Sequence, residues 1–306
     1  MHSIGIRGHA ARLGERFVPL PEPESEPARF QEFPGAWVTD DIQSLLLKTA
    51  TDVLEENQLS GNEIDCLFWV SAIPENHLRP SQTGQRSFLS NFCYSGSWLQ
   101  SELGLRRAAV IGVAQQGCAG FFSAIRLANN LISAEPDTNH VLLVGGDALT
   151  PGASREVLFN IVSDAACAVI VSRERCRYRF VAGHQIAKGS FWDVCYKPAE
   201  IAAGYFPSAK TVVQTLRKKL GDDGIDLVIS SGIRRSSWEI LMNLWGIPVD
   251  RCVFPKTFFG HTIQADSFLI LRQAEADGLI QTGMRILLFT FGFGSTWSAL
   301  VLEAIG

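Results

Sequence analysis

The sequence predicts an α/β protein built from two similar halves. Three observations carry that prediction. Short apolar runs of strand length alternate with longer runs whose apolar residues recur at helical spacing. The order of these runs is repeated along the chain. A cysteine, Cys118, and a histidine, His261, fall at matching places in the two copies.

The elements follow in order. Residues 20–35, LPEPESEPARFQEFPG, are rich in Pro and Glu and read as a surface loop. Asp40 and Asp41 can start a helix through DIQSLLLKTATDVLEENQLS. DCLFWVSA reads as a buried strand, and residues 74–96 as a long mixed excursion. WLQSELGL gives a short helix and AAVIGV a strand. The stretch GCAGFFSAIRLANNLI is a helix opened by Cys118, and HVLLVGGDAL and DAACAVIVS are two further strands.

The second half repeats the pattern. AKTVVQTLRKKLGDDG is a helix ending at glycine, IDLVISS a strand, SSWEILMNLWGIP a helix and DRCVFP a strand. FFGHT is a loop, IQADSFLILRQAEADG a helix, and RILLFTFGFG and STWSALVLEA are closing strands. The motif is helix–strand–helix–strand–loop–helix–strand–strand, twice. It divides the chain into residues 1–175, carrying Cys118, and 176–306, carrying His261. A site is expected where the halves meet.

Composition narrows the function. The chain has 306 residues, 46% hydrophobic and 19% charged, an ordinary globular profile. A net charge of -4 provides no basic footprint for nucleic acid. No run of 18 or more apolar residues suggests a membrane span. The first residues, MHSIGIRGHAARLGERF, lack a secretory hydrophobic region, so a cytoplasmic protein is expected. Seven cysteines without a C-x-x-C pair argue against a disulfide framework or a structural zinc site. Cys66 and Cys167 read as core strand residues.

Cys118 is different, because it opens a helix after Gly117. The first turn of a helix presents free N–H groups and a partial positive charge, which favour a thiolate. That setting suits a nucleophile that accepts an acyl group. The alternative is a small apolar residue packed under a helix. A histidine at the matching place of the other half favours the nucleophile, since a thiol needs a base within reach. The remaining histidines, at 2, 9, 77, 140 and 184, have no comparable setting; His77 and His184 read as surface or loop residues.

These residues resemble the ketoacyl synthase III branch of the thiolase superfamily, a group of condensing enzymes. QQGCAGFFSAIRLANNLI is similar to the family's nucleophile segment. VSDAACAVIVS resembles its GDGAGA segment, with Asp164 retained and the glycines replaced by Ser163 and Ala165. FGFGSTWSALVLE resembles its C-terminal glycine-rich turn and last strand. The resemblance implies a thiolase-like five-layered α-β-α-β-α duplication. It also implies an acyl thioester of coenzyme A or acyl carrier protein as substrate, with no bound cofactor or metal.

Two departures shape the expected site. The family's triad is Cys, His, Asn. Alignment of strand and helix puts Ser231 at the His position, and GHTIQADS puts His261 at the Asn position. The implied catalytic set is therefore Cys118, Ser231 and His261, with Gly294 and Ser295 of the glycine-rich turn at the oxyanion. Ser231 is either a hydrogen-bonding group or a small filler. Arg234 and Arg235, with Arg106 and Arg107, are candidates for binding coenzyme A phosphates or a carrier protein, or else solvated charges at helix ends.

In the family, two neutral donors stabilise the enolate formed by malonyl decarboxylation. Losing one typically costs ~10²–10³ in rate, which disfavours ordinary decarboxylative condensation here. His261 could instead serve as general base toward a hydroxyl, an amine or a carbon acid. The expected function is acyl transfer in specialised metabolite biosynthesis. Two other classes fit the residues: a catalytically degenerate subunit supporting an active partner, and an acyl-thioester hydrolase. Members of that family dimerise through the strand beside the nucleophile segment, and AAVIGV is apolar enough to be buried by such pairing, so the resemblance implies a dimer, with itself or with a paralogue.

Overall fold

A computed structural model describes residues 4–20, 33–73, 94–157, 160–193, 198–221 and 224–306. Most of the loop expected over residues 20–35 and of the excursion expected over 74–96 lies outside these residues, as does His77. The elements in chain order begin with β1 (Gly5–Leu13), β2 (Arg16–Pro19), β3 (Gly35–Val38), α1 (Ile42–Glu56) and β4 (Cys66–Val70). Next come α2 (Ser95–Glu102), β5 (Ala109–Val113), α3 (Gly120–Ala134), β6 (His140–Asp147), β7 (Glu156–Val157), β8 (Asn160–Ile161) and β9 (Ala165–Ser172). The chain continues through β10 (Tyr178–Ala187), α4 (Pro198–Leu220), β11 (Leu227–Ile229), α5 (Arg235–Trp245) and β12 (Cys252–Val253). It closes with α6 (Asp266–Ala276), β13 (Arg285–Gly292) and β14 (Thr296–Ala304).

The duplication is visible in strand order. Ten strands are hydrogen-bonded in the order β12-β11-β13-β14-β10-β1-β9-β6-β4-β5. Outward from the centre, β1-β9-β6-β4-β5 and β10-β14-β13-β11-β12 have the same sequence of antiparallel, antiparallel, parallel and parallel pairings. The two sets join where β1 meets β10, antiparallel, at Gly5 opposite Arg179 and Ile6 opposite Tyr178.

Side-chain alternation along the strands makes the layers. In β4, Cys66, Phe68 and Val70 face a central core shared with α3 and α6, while Leu67 faces an outer core with α1. In β13, Ile286 and Leu288 face the same central core, while Leu287 and Phe289 face an outer core with α4 and α5. Helices α1 and α2, the first strand set, helices α3 and α6, the second strand set, and helices α4 and α5 are therefore the five layers of the expected fold. Cys66 and Cys167 lie buried in β4 and β9.

Several features differ from the sequence reading, the short strands β2, β3, β7 and β8 among them. Strands β1 and β10 are additional; their apolar pattern is interrupted by Arg7, His9, Arg179 and His184. The interior accepts two of these because they are bonded: Arg7 donates to the Asn57 carbonyl at 2.8 Å, and His9 meets Glu275 at 3.2 Å. His184 thus sits within a strand, partly buried, rather than in a loop. Helix α4 starts at Pro198, earlier than expected, and runs through Pro207. The missing N–H leaves the carbonyl of Ala203 without its helical partner, and Ala203 is exposed, so water can serve it. Strand β5 forms one edge of the sheet, with Ile111 41% exposed. Among the described residues no helix is long and apolar enough to cross a membrane.

Candidate active site

Cys118 lies in a single tight turn, Gly117–Ala119, that leads directly into α3. The helix proper therefore starts two residues later than expected. Gly117, which begins the turn, has a φ of +50°, outside the helical region and suited to glycine. A side chain there would also come within 2.5 Å of the Phe293 nitrogen. From the other side, a Cβ on Gly292 would meet the Gln116 oxygen at 1.9 Å and the Cys118 nitrogen at 2.7 Å. Two glycines from different halves thus allow the cysteine turn to rest against the end of β13.

His261 is held by main-chain bonds to the other half. Its N–H donates to Ile161 at 2.7 Å, and its carbonyl accepts from Ser163 at 2.9 Å, a parallel bridge across Val162. Ser163 is anchored in turn, its hydroxyl donating to the Phe259 carbonyl at 2.6 Å. Beside it, Asp164 accepts two bonds from Arg155, at 2.8 and 3.0 Å.

The imidazole reaches the cysteine, with Cys118 Sγ and His261 Nε2 3.1 Å apart. On its far side Nδ1 is 2.6 Å from Asp266 Oδ2. The second oxygen of Asp266 accepts from the Thr262 N–H and hydroxyl, both at 2.6 Å. Asp266 is the first residue of α6, and the carboxylate suits that helix end. The result is a line of thiol, imidazole and carboxylate. Asp266 is the site residue that the sequence reading missed. Its signal was there: an acidic residue at a helix start, five positions after the histidine of the preceding loop.

The electrostatics follow from this line. Burial alone would drive the proton off His261. Asp266 first, and the Cys118 sulfur next, outweigh burial and hold the pKa well above the ordinary histidine value. Burial would likewise raise Asp266, but the His261 charge and hydrogen bond, helped by Thr262, keep its pKa below the usual carboxylate value. The imidazole can thus carry a proton given up by the sulfur and later return it.

Both groups open on a cavity of about 530 Å³. Its wall is mostly apolar, with Ile73, Leu149, Ile201, Phe206, Phe291 and Phe293 among its members. A buried link stiffens part of it. Gln264, from the His261 loop, donates to Asp147 at 3.0 Å and to the Val70 carbonyl at 3.2 Å, while Asp147 accepts from the N–H groups of Ala72 and Ile73.

The remaining expected site residues divide. Ser231, just after β11, lines the cavity, and its Oγ accepts the Trp238 indole N–H at 3.3 Å. From the glycine-rich turn it is Phe293 that reaches the cavity wall; Gly294 and Ser295 do not line it, and the Ser295 hydroxyl donates to the Phe191 carbonyl at 3.3 Å. Arg234 and Arg235 flank the start of α5, beside the cavity residue Ile233. Arg235 pairs with Glu239 at 3.0 Å and lies 4.4 Å over the Phe254 ring. Among the described residues, no cluster suited to a metal ion occurs.

Comparison with known proteins agrees with this architecture. The family model for 3-oxoacyl-[acyl-carrier-protein] synthase III matches residues 114–189, and the model for its C-terminal part matches 216–304; together they span more than half of the chain. The beta-ketoacyl-[acyl-carrier-protein] synthase III of Aquifex aeolicus is 24% identical over 280 residues, covering 86% of this chain and 84% of that protein. That of Neisseria meningitidis is 24% identical over 290 residues, with the same two coverages. Among solved structures, the Aquifex aeolicus synthase superposes with a TM-score of 0.80 at 20% identity, over 98% of this chain and 99% of that one. The acyltransferase ChlB3 superposes with a TM-score of 0.81 at 19% identity, over 99% and 98%. The structural likenesses, at these identities, carry the fold.

Proposed function

Because this chain belongs to the 3-oxoacyl-[acyl-carrier-protein] synthase III family, we propose that it is an acyltransferase working through an acyl-thioester on Cys118. The observation that carries this reading is the 3.1 Å approach of His261 Nε2 to Cys118 Sγ, with Asp266 2.6 Å behind the imidazole. A degenerate subunit has no use for a nucleophile, a base and an orienting carboxylate in line. The similarity to synthases and to an acyltransferase supports acyl transfer from a thioester as the reaction class.

The Cys118 sulfur gives its proton to His261 and attacks the donor's thioester carbonyl. The tetrahedral oxyanion is met by the main-chain N–H of Cys118, those of Ala119 and Gly120 being donated to the Gln116 and Gly117 carbonyls. Collapse breaks the bond to the coenzyme A or carrier-protein sulfur, which leaves with the proton from His261. An acceptor hydroxyl or amine then gives its proton to His261 and attacks the acyl-cysteine. Breaking that C–S bond forms an ester or amide and releases Cys118, which recovers the proton. A carbon acid would follow the same route to a C–C bond. Decarboxylative condensation is disfavoured, because Ser231 stands where the family has its histidine. The acyl product belongs to specialised biosynthesis in this reading. The exposed apolar edge at β5 supports a dimer, with a second copy or a paralogue.

Intact-protein mass spectrometry tests the proposal. After incubation with acyl-coenzyme A and acyl-carrier-protein panels, the protein should gain the mass of one acyl group, and Cys118→Ala should gain none. An adduct that decays only with an added acceptor marks a transferase, and one that decays in water alone marks a hydrolase. No adduct with any donor would return the chain to the supporting-subunit reading.

A further inference from the structure

Four neutral polar side chains on the cavity wall, those of Asn160, Tyr205, Ser237 and Thr290, make no hydrogen bond among the described residues. Apart from His261, no charged or titratable carboxylate, ammonium or guanidinium group lines the cavity among those residues. The cavity is thus suited to an uncharged guest, and it offers hydrogen-bonding capacity that the protein itself does not use. Sites of this kind orient an apolar ligand through a few placed polar groups.

Tyr205 is the most firmly placed of the four. Its ring lies edge-on to Phe206 at 5.1 Å and 84°, and to Phe291 at 5.4 Å and 87°. Both phenylalanines line the same cavity. Two perpendicular aromatic contacts hold the ring of the phenol, leaving its hydroxyl hydrogen to turn toward a partner. Burial also drives its pKa upward, so the group stays a neutral donor and acceptor. The Tyr205 side chain is partly buried and its hydroxyl has no protein partner among the described residues, so a ligand with a fitting oxygen gains a hydrogen bond there in an otherwise apolar setting.

We propose that Tyr205 is a specificity-determining residue whose hydroxyl engages a neutral oxygen function, a hydroxyl or carbonyl, on an otherwise apolar acyl group or acceptor. This rests on the acyl-transfer reading above. The chemistry is the same whether the oxygen rides on the acyl group or on the acceptor, and the two half-reactions separate them.

The test compares decanoyl coenzyme A with hydroxy- and oxo-decanoyl counterparts in which the oxygen is walked along the chain, in the natural protein and in Tyr205→Phe. The substitution keeps the ring and its contacts. Acylation of Cys118 should favour one oxygenated chain over decanoyl, and Tyr205→Phe should reduce that preference, read as the ratio of the two acylation rates, roughly three- to tenfold. If the preference resides in the acceptor, the loss appears instead in decay of the decanoyl adduct with hydroxylated against plain acceptors. An unchanged preference in both half-reactions overturns the assignment. Calorimetry with non-transferable ketone analogues of the same chains, on Cys118→Ala with and without Tyr205→Phe, reads binding separately. A preference there that depends on Tyr205, in a protein that forms no adduct, would keep this inference and remove the acyl-enzyme. Equal binding of all chains to both variants, with no preference in either half-reaction, would remove the inference whatever the fate of the acyl-enzyme.

Discussion

His261 Nδ1 and Asp266 Oδ2 lie 2.6 Å apart across five residues, joining a loop to the first turn of the helix that follows it. That contact orients the imidazole, so that Nε2 and no other edge meets the Cys118 sulfur. Asp266→Asn keeps the shape and the Thr262 contacts, but it turns an amide N–H toward His261 Nδ1 and so favours the tautomer with the proton on Nε2, which cannot accept the proton of Cys118. Acyl transfer should fall by about 10²–10⁴, by analogy with loss of the orienting carboxylate in other triads. Circular dichroism should be unchanged. Single-turnover kinetics on the variant would check this; a loss below threefold would deny Asp266 an orienting role.

The same pair sets a pH dependence. Asp266 and the Cys118 sulfur both raise the His261 pKa above the ordinary ~6.5. Acylation removes the sulfur's share, so the imidazole of the acyl-enzyme should lose its proton at lower pH than that of the free protein. The rate of acyl transfer to acceptor should therefore rise with pH along one limb, and Asp266→Asn should move that limb to lower pH. Stability has the opposite sense. A histidine with a raised folded pKa stabilises fully below ~6.5 and loses that contribution as pH climbs through the raised value. The melting-temperature difference between the natural protein and His261→Gln should accordingly shrink toward alkaline pH.

Ser231 invites a separation of roles. Its Oγ accepts the buried Trp238 N–H at 3.3 Å, and it also lines the cavity. Ser231→Ala should lower stability by about 1 kcal/mol, the small end of the cost of an unsatisfied buried donor, because the bond is long. If the hydroxyl also serves the reaction, the rate should fall together with stability. A melting shift with unchanged transfer would mark Ser231 as support for Trp238 alone.

Much of this was legible in the sequence, and the exceptions have physical causes. The strands flanked by helices announced themselves through continuous apolar runs, as in β6 and β9, which are buried along their whole length. Strands β1 and β10 did not, because their buried polar residues find partners only across the fold: His9 bonds Glu275, which lies 266 residues away. Cys118 and His261 were legible through the repeat. Asp266 was not, because an acid at a helix start is ordinarily a helix-end stabiliser, and its contact with His261 depends on how the loop turns before α6. The cavity residues of α4 were out of reach for a simpler reason: Pro207 hid the first turns of that helix, which contribute Ile201, Tyr205 and Phe206.

The Glu275 contact at the junction of the halves makes the last prediction. Burial would raise the Glu275 pKa, but the hydrogen bond and charge of His9, the Tyr178 hydroxyl at 2.6 Å and the Arg177 charge bring it from 4.5 down to about 2. A carboxyl with a depressed folded pKa stabilises fully above its unfolded value and loses that contribution as pH falls through the folded one. The melting temperature should therefore decline between pH 4.5 and about 2 in part through this group. In Glu275→Gln the protein should be less stable at neutral pH, because His9 and Tyr178 lose their charged acceptor, yet its decline across that window should be shallower. Thermal scans of both proteins from pH 7 to pH 2 would decide, and parallel curves would show that Glu275 gives up its proton equally easily in the folded and unfolded chains.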